Sequence, residues 1–301
     1  MKILITGATG LVGQHLITHL LSKGHEINFL TSRKEAVDSL PNCLGFYWNI
    51  ENQIIDTSCI KGVKKIIHLA GANVSNRWTN LYKDEIIASR VNSSKLLYQT
   101  LKNNKHEVNQ FISASAVGIY KHSYASIYDE SSQVFSKGFL GRVVQQWEES
   151  VNLFSDLDIN VTIFRTGVVL SEKGGALQKM KQPITLGFGA SLASGKQYMS
   201  WIHIKDLIRL IDFLVTKNEK GVFNAVAPSP VTNTELTKAL AKSLNKPLFF
   251  PNVPKFILKL LLGEMHEIVC ESQNVSSNKI ERLGFDFQFN KLDEALTDFL
   301  K

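Results

Sequence analysis

The chain has 301 residues, 44% hydrophobic and 20% charged, which excludes a disordered, collagen-like or small disulfide-scaffold protein and allows one large core or two lobes. A formal charge of +7 and a pI near 9.2 raise nucleic acid as a partner, but the lysines are scattered without a dense basic run, so the expected ligand is a small anion and not nucleic acid. The apolar run at residues 3–5 stops at Thr6-Gly7, and the run at 256–262 is short and broken by Lys259. Neither makes a signal peptide or a membrane span, and no membrane partner is expected. Cys43, Cys59 and Cys270 are odd in number and widely spaced, which suits reduced thiols in the cytoplasm of a monomeric or homodimeric protein.

Taken in chain order, residues 2–6 read as a short buried strand, and 11–23 as a helix with Val12, Leu16, Leu20 and Leu21 on one stripe, closed by Gly24. Strands follow at 27–31, 44–48, 65–69, 110–114 and 160–165, with helical patterns at 80–102 and 137–154. This alternation predicts an α/β fold: a doubly wound, Rossmann-type parallel sheet with right-handed crossovers and helices on both faces. After Leu170 the pattern gives way to a glycine-punctuated stretch, and 201–215 and 222–225 then read as a helix and a strand returning to the sheet. From Pro228 onward the chain is mostly helical. The expected division is a dinucleotide-binding domain of 1–170 with 201–226, and a smaller substrate lobe of 171–200 with 227–301 that closes over the carboxyl ends of the strands.

Thr6-Gly7-Ala8-Thr9-Gly10-Leu11-Val12-Gly13 sits where the first strand turns into the first helix. In such a turn Gly7 permits the bend, Gly10 lets backbone approach a pyrophosphate, and Gly13 lets helix and strand pack closely. The helix then offers unpaired N–H groups to the phosphates. An NAD site usually carries an acid about 20 residues further on. This chain has Thr31-Ser32-Arg33 there, and Ser32 with Arg33 suits the 2′-phosphate of NADP(H).

Together with His68-Leu69-Ala70-Gly71, Asn92 and Ser113-Ala114-Ser115, this turn resembles the extended, epimerase-like short-chain dehydrogenase/reductases. A narrower resemblance runs the length of the chain: Asn76-Arg77-Trp78, Ser89-Arg90, Phe139-Leu140, Trp147-Glu148, the segment 165–170, Gly174-Gly175-Ala176-Leu177, Ser200-Trp201-Ile202-His203, 227–233 and Leu262-Gly263-Glu264-Met265. These are similar to an atypical epimerase family protein group that has its own C-terminal domain. The resemblance implies an NADP(H) site at Gly7, Thr9, Gly10, Leu11, Val12, Gly13, Ser32, Arg33, Leu69, Ala70, Gly71, Asn92, Ser113, Arg165, Gly167 and Val168. It implies no settled reaction or substrate.

In the typical family member a serine, a tyrosine and a lysine handle the proton, with the tyrosine and lysine one helical turn apart. Ser115 matches the serine. By the same alignment Phe139 replaces the tyrosine and Val143 the lysine, so neither a hydroxyl nor a cation stands at those positions. Tyr120, Tyr124 and Tyr128, with Asp129 and Glu130, are the nearby candidates for a substitute donor, Tyr120 foremost. Arg77, Arg90, Lys179 and Lys196 are candidates to clamp an acidic substrate. His15 and His19 share a helical face but have no third ligand in view, so no metal is expected, and His203 with Asp206 reads as structural, Asp206 as a cap or hydrogen-bond partner. Trp147-Glu148 reads as core packing beside a surface or capping carboxylate. Two functions remain open: an NADP-dependent oxidoreductase or epimerase with a non-standard proton donor acting on a small molecule, and a catalytically silent NADPH-binding regulator or sensor.

Overall fold

A computed structural model describes residues 1–299. In chain order the strands are β1 (Lys2–Thr6), β2 (Glu26–Thr31), β3 (Cys43–Asn49), β4 (Ile54–Ile55), β5 (Val63–His68), β6 (Gln110–Ala116), β7 (Ile127–Tyr128), β8 (Asn160–Thr166), β9 (Val168–Leu170), β10 (Tyr198–Met199), β11 (Trp201–His203), β12 (Gly221–Ala225), β13 (Val231–Thr232) and β14 (Asn274–Val275). The α-helices are α1 (Leu11–Ser22), α2 (Asn80–Asn103), α3 (Phe139–Asn152), α4 (Ala176–Thr185), α5 (Ile204–Lys217), α6 (Asn233–Ser243), α7 (Lys255–Leu262), α8 (His266–Cys270), α9 (Asn278–Arg282) and α10 (Leu292–Phe299).

The main sheet has eight strands in the order β12-β8-β6-β5-β1-β2-β3-β4, parallel except for the antiparallel β3–β4 pair. In β1, Ile3 and Ile5 join the core under α1 and α5, while Leu4 joins the core under α2 and α3. That two-residue period, apolar on both sides, is what a strand covered on both faces requires, and it is the doubly wound arrangement expected from the sequence. Strand order reverses between β1 and β5. The crevice beyond their carboxyl ends is where sheets of this topology take a ligand.

The stretch 201–215, expected as one helix, divides. Trp201, Ile202 and His203 are fully buried and extend as β11 beside β9, and α5 starts only at Ile204. His203 is the cap: its Nδ1 accepts the Lys205 N–H at 3.1 Å while its ring stacks between Phe289 and Phe299, at centroid distances of 3.7 and 4.3 Å. The buried Asp206 carboxylate accepts the N–H groups of Gln288 (3.0 Å) and Phe289 (2.9 Å) and pairs with Arg209, which ties the C-terminal segment to α5. Beyond β12 the chain is mostly helical. Leu236 and Leu240 of α6 with Leu292 and Leu296 of α10 pack on Leu177, Ile184 and Trp201 as a separate small core, whereas Ile280, Phe285 and Phe287 join the core under α1 and α5.

Candidate functional site

The turn from β1 to α1 is constrained glycine by glycine. Gly7 adopts φ +68°, and a Cβ there would lie 2.8 Å from the Leu69 backbone; a Cβ on Gly13 would lie 2.3 Å from the Gly7 carbonyl oxygen. Both positions demand glycine for the protein's own packing. Gly10 differs, because a Cβ there would meet only the Gly7 carbonyl oxygen, at 3.2 Å, and its φ of −77° suits any residue. Gly10 is exposed, with Thr9, Leu11 and Val12 half-buried around it. No side chain caps α1 and its first turn holds no acid, so its leading N–H groups are left for an anion. The loop at Gly174-Gly175 lies against the Leu11 side chain.

The opposite wall is the end of β5, and a buried network fixes it. Thr6 Oγ1 accepts the N–H groups of both Leu69 and Ala70 at 3.1 Å, so its own proton goes to His68 Nδ1 at 2.8 Å. His68 Nε2 therefore carries the ring proton and faces Ser93 Oγ at 3.2 Å. Burial lowers the His68 pKa to about 3 and holds the ring neutral. Leu69, Ala70 and Gly71 are thereby presented at the crevice edge. The Arg90 guanidinium lies under Gly71, where a Cβ would come within 2.9 Å of its Cζ, and donates to the carbonyls of Ala72 and Ile86, both at 3.1 Å. Burial brings that guanidinium down to about 10. Asn92, expected at the nucleotide, is on the exposed side of α2; Ser89, Arg90 and Ser93 of this helix reach the strand end and the segment after it. At the end of β2, Ser32 and Arg33 are exposed, and the Arg33 side chain makes no hydrogen bond or ion pair within the described residues.

Next to this open crevice the corner around Ser115 is closed. Ser115 Oγ donates to Glu148 Oε1 at 2.5 Å. The same carboxylate takes a two-point contact from Arg165, Nε to Oε1 at 2.8 Å and Nη2 to Oε2 at 2.7 Å. Arg165 also donates from Nη1 to Tyr120 Oη at 2.9 Å, and Tyr120 donates to Asn224 Oδ1 at 2.8 Å. All five residues are buried. Burial works against the Arg165 charge, but the Glu148 contact outweighs it and holds the guanidinium further into its charged range, while burial raises the Tyr120 phenol.

Several expectations are corrected here. Tyr120 is inside the core, stacked on Tyr128 with its hydroxyl fully engaged, rather than in a loop facing substrate. Arg165, expected at the cofactor, is the counter-ion of Glu148 beneath the site, and Glu148 is accordingly an interior charge rather than a surface or capping carboxylate. Ser113 is also buried, its hydroxyl donating to the Ala114 carbonyl at 2.9 Å. Gly167 and Val168 are committed to the crossing into β9: the Val168 N–H donates to the Ser200 carbonyl at 2.8 Å, and a Cβ on Gly167 would lie 2.4 Å from that oxygen. The signal missed was that a lone arginine in an apolar strand and a lone glutamate on the buried stripe of a helix each need an opposite charge.

The head of α3 carries Phe139, edge-on to Trp78 at 5.0 Å, and Val143, buried with Trp78 and Ile86. Two cations flank this helix head: the Lys83 ammonium lies over the Phe139 ring, 5.3 Å from its centroid, and the exposed Arg142 donates to the Lys137 carbonyl at 2.5 Å. Two carboxylates from the C-terminal segment approach the same point: Glu267 Oε2 and Glu271 Oε1 are 3.5 and 3.8 Å from the Cβ position of Gly138. Burial, and then the Glu267 charge, raises the Glu271 pKa. Sequence reading did not single out this pair, which lies far along the chain from α3. Contacts across the crevice mouth are Lys83 with Glu264, and Lys179 Nζ with the Ser75 carbonyl at 3.4 Å. Among the described residues no three His, Cys, Asp or Glu side chains converge as a metal site.

Residues 3–226 match the NAD dependent epimerase/dehydratase family, and residues 253–299 match a domain of unknown function. An epimerase family protein of Staphylococcus epidermidis is 36% identical over 304 residues, covering 100% of this chain and 99% of the relative. A human epimerase family protein solved with NADPH superposes with a TM-score of 0.85 at 27% identity, over 100% of this chain and 99% of that one. A nucleoside-diphosphate sugar epimerase from Corynebacterium glutamicum gives 0.80 at 28% identity, over 100% of this chain and 58% of that one. A UDP-glucuronic acid 4-epimerase from Bacillus cereus, at 17% identity and a TM-score of 0.79 over 100% of this chain and 99% of that one, shares the fold.

Proposed function

The chain belongs to the NAD-dependent epimerase/dehydratase family, and from that premise we propose that it is an atypical short-chain dehydrogenase/reductase-like protein that holds NADP(H) as a ligand and does not run the family's usual proton relay. A bound NADP(H) supplies or accepts a hydride. The residues that would hold it are Gly10, Leu11 and Val12 at the uncapped start of α1, Ser32 and Arg33 at the end of β2, and the edge Leu69-Ala70-Gly71. The fit rests on Gly10, the one glycine of the turn whose missing side chain leaves room toward the crevice rather than toward the protein.

The observation that carries this reading is the Ser115–Glu148 hydrogen bond with its buried arginine. A serine that donates its proton to an interior carboxylate has none to offer a substrate oxygen, and Phe139 and Val143 provide neither phenol nor ammonium beside it. The reading is supported by the human relative solved with NADPH. It is tested by incubating the purified protein with NADPH and a panel of aldehydes, ketones and quinones. Stoichiometric binding without NADPH oxidation is expected, and rapid oxidation that Ser115→Ala abolishes would contradict it.

A second reading, an oxidoreductase or epimerase acting on a small molecule, is favoured by the Glu267 and Glu271 carboxyls at the head of α3. A carboxyl with a raised pKa retains a proton closer to neutrality. Turnover that survives Ser115→Ala and is lost in Glu271→Gln would select this reading over the first.

A further inference from the structure

The small lobe carries an apolar face that the described fold leaves uncovered. Helix α7 turns Leu258 inward; Phe256 and Leu260, about 200° round the helix from it and one turn apart, are 72% and 82% exposed. Leu261 beside them is exposed as well. The preceding loop adds Phe249, 80% exposed, and Phe250, whose ring lies 5.9 Å from that of the exposed Phe188. Backbone pairing of Leu192 with Val253 holds these two segments together. So many projecting aromatic and leucine side chains on adjoining segments mark an interaction surface.

Its charge says what the surface fits. Residues 227–262 contain five lysines, at 238, 242, 246, 255 and 259, and one acid, Glu235; residues 176–192 contain Lys179 and Lys181 and no acid. A second copy placed against this face would set lysine against lysine. Side chains this exposed project rather than line a groove, so the shape does not receive a partner's helix. A layer that is anionic at its surface and apolar beneath satisfies both the lysines and the phenylalanines.

We propose that α7 and the Phe249-Phe250 loop form a peripheral docking surface for an anionic lipid bilayer, with Phe249, Phe256 and Leu260 entering the headgroup region and Lys246, Lys255 and Lys259 meeting lipid phosphates. The expectation of no membrane partner rests on the lack of a spanning segment, and peripheral docking needs none: among the described residues no helix is long and apolar enough to cross a membrane. Met265, just past α7, packs in the cluster that holds Phe139 and Val143, so docking brings the crevice mouth close to the lipid.

The test is co-sedimentation of the full chain with vesicles of phosphatidylcholine alone or mixed with phosphatidylglycerol. Binding to the anionic vesicles that weakens with added salt is expected. The double variant Phe256→Ser, Leu260→Ser should lower partitioning by about tenfold or more, and Lys255→Glu with Lys259→Glu should abolish the preference for anionic lipid. Both variants change exposed side chains, so unchanged circular dichroism and NADPH titration identify the loss as one of docking. Absence of parent binding to anionic vesicles, or binding that both variants retain, would overturn the proposal. A concentration-dependent dimer that Phe256→Ser disrupts would overturn it in favour of a second copy.

Discussion

The carboxyl ends of β1 and β5 and those of β6 and β8 belong to one sheet, yet they meet the crevice in opposite states. At β1 and β5 the interior polar groups, Thr6, His68 and Ser93, satisfy one another and leave the leading N–H groups of α1 and the Leu69–Gly71 edge outward. At β6 and β8 the polar groups also satisfy one another, but the set includes Ser115 and Tyr120, the two residues expected to handle a substrate proton. Thorough hydrogen bonding therefore builds a binding edge in one place and removes a reactive group in the other. What matters is whether the group left over faces the crevice.

The largest effect is expected where the closed corner is opened by force. Arg165→Met leaves Glu148 as an uncompensated interior charge, which costs about 3–5 kcal/mol and should show as a large fall in thermal midpoint. A fall no larger than that of a typical surface substitution would mean the pair is not what closes the corner. Gly10→Val probes the open side: its Cβ meets the protein only at the Gly7 carbonyl oxygen, 3.2 Å away, and its methyls enter the proposed pyrophosphate path, so NADPH binding should be lost with far-UV circular dichroism retained. Gly13→Ala, whose Cβ would strike the Gly7 carbonyl, should instead lower the thermal midpoint. Equivalent behaviour of the two variants would erase the distinction between a ligand-facing and a packing glycine.

Smaller effects sharpen the same contrast. Arg33→Ala removes the charge-assisted contact proposed to the 2′-phosphate, worth about 1.5–3 kcal/mol, so calorimetry should show NADPH weakened by about ten- to a hundredfold and NADH little changed. The His68 clamp gives the smallest signal per pH unit. Its pKa is about 3 when folded and near 6.5 when unfolded. Between those values the unfolded chain binds the extra proton, so this contribution is whole above pH 6.5 and declines as pH falls, by about 1.4 kcal/mol per pH unit. Urea midpoints measured at decreasing pH should follow that slope, and His68→Asn should flatten it.

The sheet was legible because a strand covered on both faces writes its burial into every residue, as in Ile3-Leu4-Ile5, and because Gly7 and Gly13 fall in a turn where backbone geometry dictates residue type. The boundary at His203 was not legible: a histidine cap and three buried residues read the same in a strand as in a helix. The corner was half legible. Phe139 and Val143 announced the missing phenol and ammonium, whereas the pairing of Glu148 with Arg165 depends on two elements meeting in space. Residues 256–262 read as apolar and short, but their outward direction is set by which side of α7 holds Leu258.

The central claim, an NADP(H)-binding edge beside a closed relay, is tested most directly by calorimetric titration of the purified protein with NADPH and with NADH. One NADPH per chain is expected, bound at least about tenfold more tightly than NADH, as the proposed contact of Ser32 and Arg33 with the 2′-phosphate requires. Equal affinity for the two nucleotides, or no heat with either, would contradict it.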